Sequence, residues 1–228
     1  GGVESHGMSR PIRRTASLTL ALAGAVSLAG CADAEPGRTP DRHNPRPVVL
    51  SGSASSPEQL ILGELYLQTL PAQEREVILD LKSETEERTR LERLREGDAD
   101  LVIGCTGMYL SNLDPLRAVD LSAEIEAGDV EDPADTTYRE YLGALSGGFT
   151  SPDPSSAQGC ADIVAREQMP DLPQSIVPTY NRELFDREEQ KAITDVTRFL
   201  TTDELATLIE DAREKSSASS VVEAWLPS

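Results

Sequence analysis

The stretch SGSASSPEQLILGELY, Ser51–Tyr66, marks a point where a strand turns into a helix. It follows the β-rich residues PVVL, and its small residues predict a tight turn. Pro57 stands at the first position of a helix that Ser56 caps and that continues to about Leu70 with apolar residues at helical spacing. A strand that enters a helix in this way points several backbone N–H groups at one place, which favours an anionic group there.

Strands and helices alternate on both sides of this turn. Strands are predicted at Val48–Leu50, Val77–Leu81 and Ala99–Cys105, and the last is apolar throughout, as is typical of a strand buried on both faces. A helix is expected over Glu84–Glu96, with Gly97 as its C-cap and its charges on a solvated face. The order β-α-β-α-β predicts a parallel sheet.

The second half of the chain is predicted to be richer in loops and helices. Residues 113–135 are expected to form a loop with short helical pieces, Thr137–Leu145 a helix, and Ser146–Gly159 a loop dense in Gly, Pro and Ser. The remaining expected elements are a strand at Gln174–Tyr180, a helix at Glu188–Leu200, a helix opened by the capping box Thr201-x-x-Glu204, and a last helix opened by Ser220 that carries Trp225.

Residues 8–31 have the order of a bacterial export signal. Residues 1–7 precede Met8 and are interpreted as a tag or an upstream extension. Three arginines are followed by the uncharged, largely apolar run Ala16–Gly30, which is too short to span a membrane. The run ends in LAGC, which resembles a lipobox whose Cys31 would carry a diacylglycerol. The alternative is an ordinary signal peptide with an incidental cysteine.

Composition separates the signal from the domain. A signal peptide is expected over 1–30. Residues 31–47 hold the lipidated cysteine and are rich in Pro, Gly and charge without periodicity, so they predict a flexible tether. The folded domain is expected from about residue 48 onward.

The net charge and the histidines exclude several classes of function. The formal net charge is −19, and because residues 1–30 hold three Arg and one Glu, the rest of the chain carries −21. Such a surface disfavours nucleic acid and anionic headgroups as partners. His6 and His43 lie outside the domain, which removes histidine-dependent catalysis and a histidine metal site. We expect a protein that is not an enzyme and that uses no metal or cofactor.

Two cysteines remain once Cys31 is assigned to lipid. Cys105 and Cys160 belong to a chain expected to be exported, and oxidising compartments favour pairing. The two open alternatives are a disulfide and a pair of buried thiols.

Several segments resemble one family, the glycine betaine/choline substrate-binding proteins of ABC transporters, with the type II periplasmic-binding fold. VVLSGSASSPEQLILGELYLQTL and LERLREGDADLVIGCTGMYL resemble its first lobe, and SIVPTYNRELFD, FLTTDELATLI and SSVVEAWL resemble its C-terminal strand and helices. The resemblance implies an α/β fold with a parallel-sheet, periplasmic-binding-protein-like lobe built from residues 48–110 and 174–228. Residues 111–173 are expected to form a reduced second lobe or a loop insertion, because a full second sheet needs more chain.

The resemblance implies an extracytoplasmic, lipid-anchored solute-binding protein that works with an ABC permease. Its ligand would be a small cationic or zwitterionic solute of the osmoprotectant class. The chain departs from the family pattern at Ala54, where the family has a lysine, and at Cys105, where it has a tyrosine. Because a quaternary ammonium is held by aromatic faces, these changes indicate that the ligand has changed. The expected ligand-binding residues are Ser53, Ser55, Ser56, Glu58, Gln59, Thr106, Gly107, Tyr109 and Tyr180.

Several of the expected site residues also have a structural interpretation. Glu58 and Gln59 would then stabilise the first helical turn, Thr106 and Gly107 would form a strand-end turn, and Tyr109 would pack at a hinge. The matching alternative function is a degenerate, non-transporting lipoprotein that binds a protein or the cell wall. A surface filled by the chain itself would favour that alternative, whereas an open cleft would favour solute binding.

Overall fold

The computed structural model describes residues 47–71, 75–81 and 89–227. The expected signal peptide, Cys31 and most of the tether lie outside these residues, as does the first part of the helix expected from Glu84. None of the described helices has the length and apolar character needed to cross a membrane.

The described elements alternate first as strand and helix and then become mainly helical. In chain order they are β1 (Val48–Gly52), α1 (Pro57–Thr69), β2 (Val77–Leu81), α2 (Arg90–Glu96), β3 (Leu101–Cys105), α3 (Thr106–Leu113), α4 (Pro115–Glu126), α5 (Pro133–Ala144), β4 (Phe149–Thr150), α6 (Ala161–Arg166), β5 (Ile176–Asn181), α7 (Arg187–Phe199), α8 (Thr202–Lys215) and α9 (Ala218–Trp225).

The strands form one five-stranded sheet in the order β2-β1-β3-β5-β4. β1 pairs in parallel with both β2 and β3, which confirms the parallel β-α-β-α-β prediction. β5 runs antiparallel to β3, and β4 runs antiparallel to β5, so four strands point one way and β5 points the other. The residues of β5 predicted a strand but not its direction, because both directions bury the same side chains.

The turn between β1 and α1 forms as its residues predict. Ser56 is the N-cap of α1 and accepts a hydrogen bond from the Gln59 N–H, with Pro57 in the first turn. The apolar face of α1 is buried in the core. Tyr66, on the same helix, is buried and its hydroxyl lies 2.7 Å from Thr197 Oγ1 on α7, so it has the core role that helical spacing predicts.

Two expectations are wrong in the middle of the chain, one about a helix and one about a helix boundary. α4 is a twelve-residue helix where a loop with short helical pieces was expected. Asp114 caps it by accepting a hydrogen bond from the Arg117 N–H, and its own residues Ala118 and Leu121 are buried against the core. The pattern was not evident in the sequence because apolar residues also occupy the exposed side of the helix. α5 begins at Pro133, four residues before the expected start, because Asp132 supplies its N-cap.

The last two corrections concern helix starts. α3 follows β3 without any turn residue, although Thr106 and Gly107 had been expected only as a ligand-binding or strand-end turn. The N-cap of α9 is Ser217, which accepts from the Ser220 N–H, so Ser220 lies inside the helix that it was expected to open. Both serines satisfy the cap pattern, and the burial of Val221 and Val222 decides between them.

Residues 106–175, all of which are described, contain four helices and one two-residue strand. That strand, β4, joins the same sheet through β5, so this stretch builds no second sheet. α3 packs against α4 and α5, and their buried side chains belong to the same hydrophobic core as the sheet. This stretch therefore forms a helical layer on the sheet.

Candidate functional site

The candidate site is the edge of the sheet where β1 and β3 end. Because these strands are parallel, their carboxyl ends meet there, and the helices that follow both begin there. We define the strand-end edge as Gly52–Gln59 together with Cys105–Gly107. It holds the N-termini of α1 and α3, whose free backbone N–H groups need acceptors.

Glu58 occupies the N-terminus of α1. Its carboxylate accepts a hydrogen bond from the backbone N–H of Cys160, with Oε1 at 3.1 Å and Oε2 at 3.0 Å from that nitrogen. Burial raises the pKa of the Glu58 carboxyl, while the Cys160 hydrogen bond and the charge of Arg90 act in the opposite direction. The anionic group at this helix terminus is thus supplied by the chain itself.

A disulfide closes the edge above Glu58. It joins Cys105, at the end of β3, to Cys160, which is 55 residues away, and both cysteines are buried. The two sulfur atoms and a Glu58 carboxylate oxygen lie within 4.8 Å of one another, which is a spacing that a metal ion could span. Metal ions bind thiolates, however, and the disulfide leaves neither sulfur in that form.

The N-terminus of α3 is covered by the segment Leu172–Ser175. The backbone N–H of Thr106 donates to the carbonyl of Ser175 at 3.0 Å, and the Thr106 hydroxyl donates to the carbonyl of Pro173 at 3.0 Å. Gly107 donates its N–H to the same Pro173 carbonyl at 3.1 Å. The chain therefore satisfies both N–H groups itself, where a ligand was expected to do so.

Two further contacts make this cover tight. The N–H of Met108 donates to Gln174 Oε1 at 2.9 Å, so a third α3 N–H group has a partner. A Cβ at Gly107 would lie 2.7 Å from Leu172 Cβ and 2.8 Å from the Pro173 carbonyl oxygen. No side chain fits at this position, and the glycine is explained by packing.

The three expected serines make their hydrogen bonds within the turn. Ser53 is buried, and its Oγ lies 3.0 Å from Oγ of Ser55, which is exposed. Ser56 Oγ accepts from the Gln59 N–H at 3.3 Å as the α1 cap. These contacts lie within the turn itself, and Ser56 has the capping role that the sequence predicts.

Gln59 differs from its neighbours because its side chain is buried without a hydrogen bond. The residue is 2% exposed, and neither Oε1 nor Nε2 has a hydrogen-bond partner in the described part of the chain. The attraction between this amide and the Glu58 carboxyl opposes the rise in the pKa of Glu58, but it falls outside hydrogen-bond geometry. An unsatisfied buried amide costs about 1–3 kcal/mol.

The two tyrosines expected to form an aromatic cage are not brought together at the edge. The Tyr109 ring is buried against Gly104, and its centroid lies 5.6 Å from that of Tyr141. Tyr180 pairs with Leu101 at the opposite end of the β3–β5 ladder from Cys105, about 13 Å away along the strand. Burial raises the pKa of Tyr180 to about 12. Both rings are core residues, and neither presents a face to solvent.

The sequence did not indicate the role of two arginines in α2. Their charges were expected on a solvated face, but Arg90 is 3% exposed and donates to the carbonyl of Ile103 at 3.0 Å. Arg93 bonds to Ser51 Oγ and to Asp80 Oδ2, the latter at 2.8 Å. Each arginine precedes a buried leucine, Leu91 or Leu94, and is buried with it. A short helix that packs against a sheet can bury neighbouring positions that lie on more than one of its faces.

Comparisons with known proteins agree on the fold. No protein-family model matches the sequence, and no curated protein matches it significantly. Apo YehZ from Escherichia coli is similar in structure, with a TM-score of 0.56 at 11% identity over 79% of this chain and 97% of that one. The structure of a glycine betaine/carnitine/choline ABC transporter gives 0.55 at 12% identity over 78% and 97%. At such identities, the similarity establishes the fold alone, which this chain shares with these two proteins.

Proposed function

We propose that this chain is an extracytoplasmic, lipid-anchored binding module that uses the solute-binding fold without carrying a quaternary amine. The single observation that supports it best is the Glu58–Cys160 hydrogen bond beside the Cys105–Cys160 disulfide. The chain's own carboxylate and backbone fill the place where a solute would lie. The partner is then a protein or the cell wall, bound elsewhere on the surface.

The chemistry of a betaine supports this proposal. Its carboxylate would approach the N-terminus of α1 against the Glu58 carboxylate, which already accepts the available N–H of Cys160. Its quaternary ammonium would need aromatic faces, each worth up to about 2 kcal/mol when desolvated. Tyr109 and Tyr180 are buried in the core and offer none. Since each 1.4 kcal/mol is about tenfold in affinity, these losses weaken binding by orders of magnitude.

A second candidate is the solute-binding lipoprotein of an ABC importer, with a changed ligand delivered to a permease. The observation that favours it is Gln59, whose buried amide has no hydrogen-bond partner in the described residues. A small polar solute that entered beside Glu58 would satisfy this amide. Such a ligand would have to displace Cys160 from Glu58, and the disulfide opposes that movement.

Calorimetric titration of the mature chain, from Cys31 onward, separates the two candidates. Glycine betaine, choline and proline betaine are each titrated into the wild type and into Gln59→Leu. The proposed function predicts no heat of binding with any of the three solutes. Micromolar binding that is lost in Gln59→Leu would reject the non-transporting module and establish the solute-binding candidate.

A further inference from the structure

One face of α4 presents apolar side chains to solvent. Leu116 is 80% exposed and Val119 is 56% exposed, and Ala123 continues the same side of the helix at the next turn. The opposite side carries Ala118 and Leu121, which are fully buried. The core contact of α4 is therefore complete without the exposed residues, and their apolar character is not explained by the fold.

Acidic residues are frequent on α4 and in the residues that follow it. Residues 114–135 contain eight Asp or Glu and a single cation, Arg117. The Arg117 guanidinium is bound to Glu124 at 2.7 Å and to Glu140 at 2.8 Å, so its charge is already compensated. Asp120 and Glu126 are exposed on α4 and form no ion pair with any described residue. The exposed apolar face of α4 thus lies in a strongly negative electrostatic field.

We propose that this face of α4, formed by Leu116, Val119, Asp120 and Ala123, docks a protein partner that presents an apolar side chain ringed by Lys or Arg. The inference rests on the proposed function in one respect, namely that the module acts through a contact with a protein. Exposed apolar anchors supply the contact area, and the carboxylates of α4 select and steer a cationic partner.

Charge complementarity favours this occupant over the other candidates. A second copy of the chain would bring an equally acidic face against this one, because the part of the chain after residue 30 carries −21. A bacterial membrane surface presents anionic headgroups, which the same carboxylates repel. A basic amphipathic protein segment is the occupant that satisfies both the exposed apolar face and the carboxylates of α4.

A labelled synthetic helix tests the proposal on the mature chain. The probe has Leu on one face and Lys on the other, and its counterpart has Glu in place of Lys. Fluorescence anisotropy compares the wild type with the double variant Leu116→Gln/Val119→Gln and with Phe199→Gln. Phe199 is 67% exposed on α7 and provides a matched apolar control on another helix. Circular dichroism and thermal melting check that all three proteins are folded.

The proposal predicts that the Lys probe binds the wild type and Phe199→Gln equally and the double variant about tenfold more weakly, the loss expected for an apolar anchor. A second double variant, Asp120→Asn/Glu126→Gln, should bind more weakly and show a smaller dependence on salt. The Glu probe should not bind. Equal affinity of the Lys probe for the wild type and for Leu116→Gln/Val119→Gln, or an equal loss in Phe199→Gln, would overturn the proposal.

Two further measurements assign the face to another occupant if the proposal is wrong. A dimer that sedimentation equilibrium detects in the wild type but not in Leu116→Gln/Val119→Gln would assign it to a second copy. Binding to anionic phosphatidylglycerol vesicles that the same variant loses would assign it to a membrane. These outcomes are independent of the solute titrations, which would reject the proposed function without involving α4.

Discussion

The carboxylate of Glu58 accepts a hydrogen bond from the backbone N–H of Cys160, a residue 102 positions further along the chain. The disulfide then ties Cys160 to Cys105, so the N-terminus of α1, the end of β3 and the start of α6 are joined at one point. In open α/β sheets, ligands bind at the carboxyl ends of the strands, which meet at this edge. Here the edge is closed from within.

Removing the disulfide should destabilise the protein substantially. It closes a loop with a sequence separation of 55, for which the chain-entropy model gives about 4 kcal/mol in the free energy of unfolding. Cys105→Ala/Cys160→Ala should lose about that amount in urea denaturation, and reduction of the wild type should reproduce the loss. Modification of both thiols by an alkylating reagent before any reduction would show that the disulfide is absent.

Glu58 should make stability depend on pH in a defined direction. Its folded-state pKa lies above its ordinary value of 4.5 because burial disfavours the charged form. The contribution of Glu58 is therefore fully present below that value and is lost as the pH rises through the folded-state pKa. Glu58→Gln should remove this decline, so the wild type loses stability relative to the variant as the pH rises from below 4.5 through the folded-state pKa.

Urea denaturation across this pH range measures the effect of Glu58. Glu214→Gln, on the exposed side of α8, is the matched control, and its stability should follow that of the wild type. A wild type that gains stability relative to Glu58→Gln as the pH rises would show that the hydrogen bond from Cys160 outweighs burial.

The cover over α3 should make Gly107 intolerant of any side chain. The Cβ of Gly107→Ala would lie 2.8 Å from a backbone carbonyl oxygen of Pro173, so either the segment or the helix must move. We expect a loss of about 1–3 kcal/mol in the free energy of unfolding. Gly143→Ala is the control, because nothing lies within 4 Å of its Cβ, and alanine should stabilise α5 by up to about 1 kcal/mol. Equal stability of both variants would mean that the cover is loose.

The lipid anchor remains a prediction, because Cys31 lies outside the described residues. We expect the wild type expressed with its own export signal to fractionate with membranes and to incorporate labelled fatty acid. Cys31→Ala should do neither, since one lipidated cysteine supplies the attachment. A wild-type protein released to the medium as freely as Cys31→Ala would contradict the lipobox.

Local rules predicted the first βα units well. Ser56, Pro57 and Gly97 act within a few residues of themselves, so their capping roles can be deduced from the sequence alone. The direction of β5 and the burial of Arg90 depend on contacts between distant segments, and no local pattern carries that information. α4 was missed because its apolar residues serve two faces, one buried and one exposed.

At the candidate site, too, local features could be predicted from the sequence and contacts between distant segments could not. The sequence indicated that residues around Glu58 and Cys105 would lie at one edge of the sheet, and the structure places a Glu58 carboxylate oxygen within 4.8 Å of the Cys105 sulfur. It did not indicate that Leu172–Ser175 would cover Thr106, because a strand predicted from Gln174 onward does not reveal which distant residues its first part contacts. Tyr180 was expected at the site, but the register of β5 pairs it with Leu101, at the end of β3 opposite to Cys105.

Hydrogen exchange at the Cys160 amide tests most directly whether the chain itself closes the strand-end edge. In the mature chain labelled with ¹⁵N, we expect this amide to exchange as slowly as that of Ile176, which donates to Ala157. Glu58→Ala should accelerate it by about tenfold or more, the loss expected for a hydrogen bond to a charged group, while the Val102 amide in β3 stays protected. Glycine betaine should change neither rate. Exchange of Cys160 at the rate of an unprotected peptide, slowed by glycine betaine, would contradict the account and reveal an open solute site.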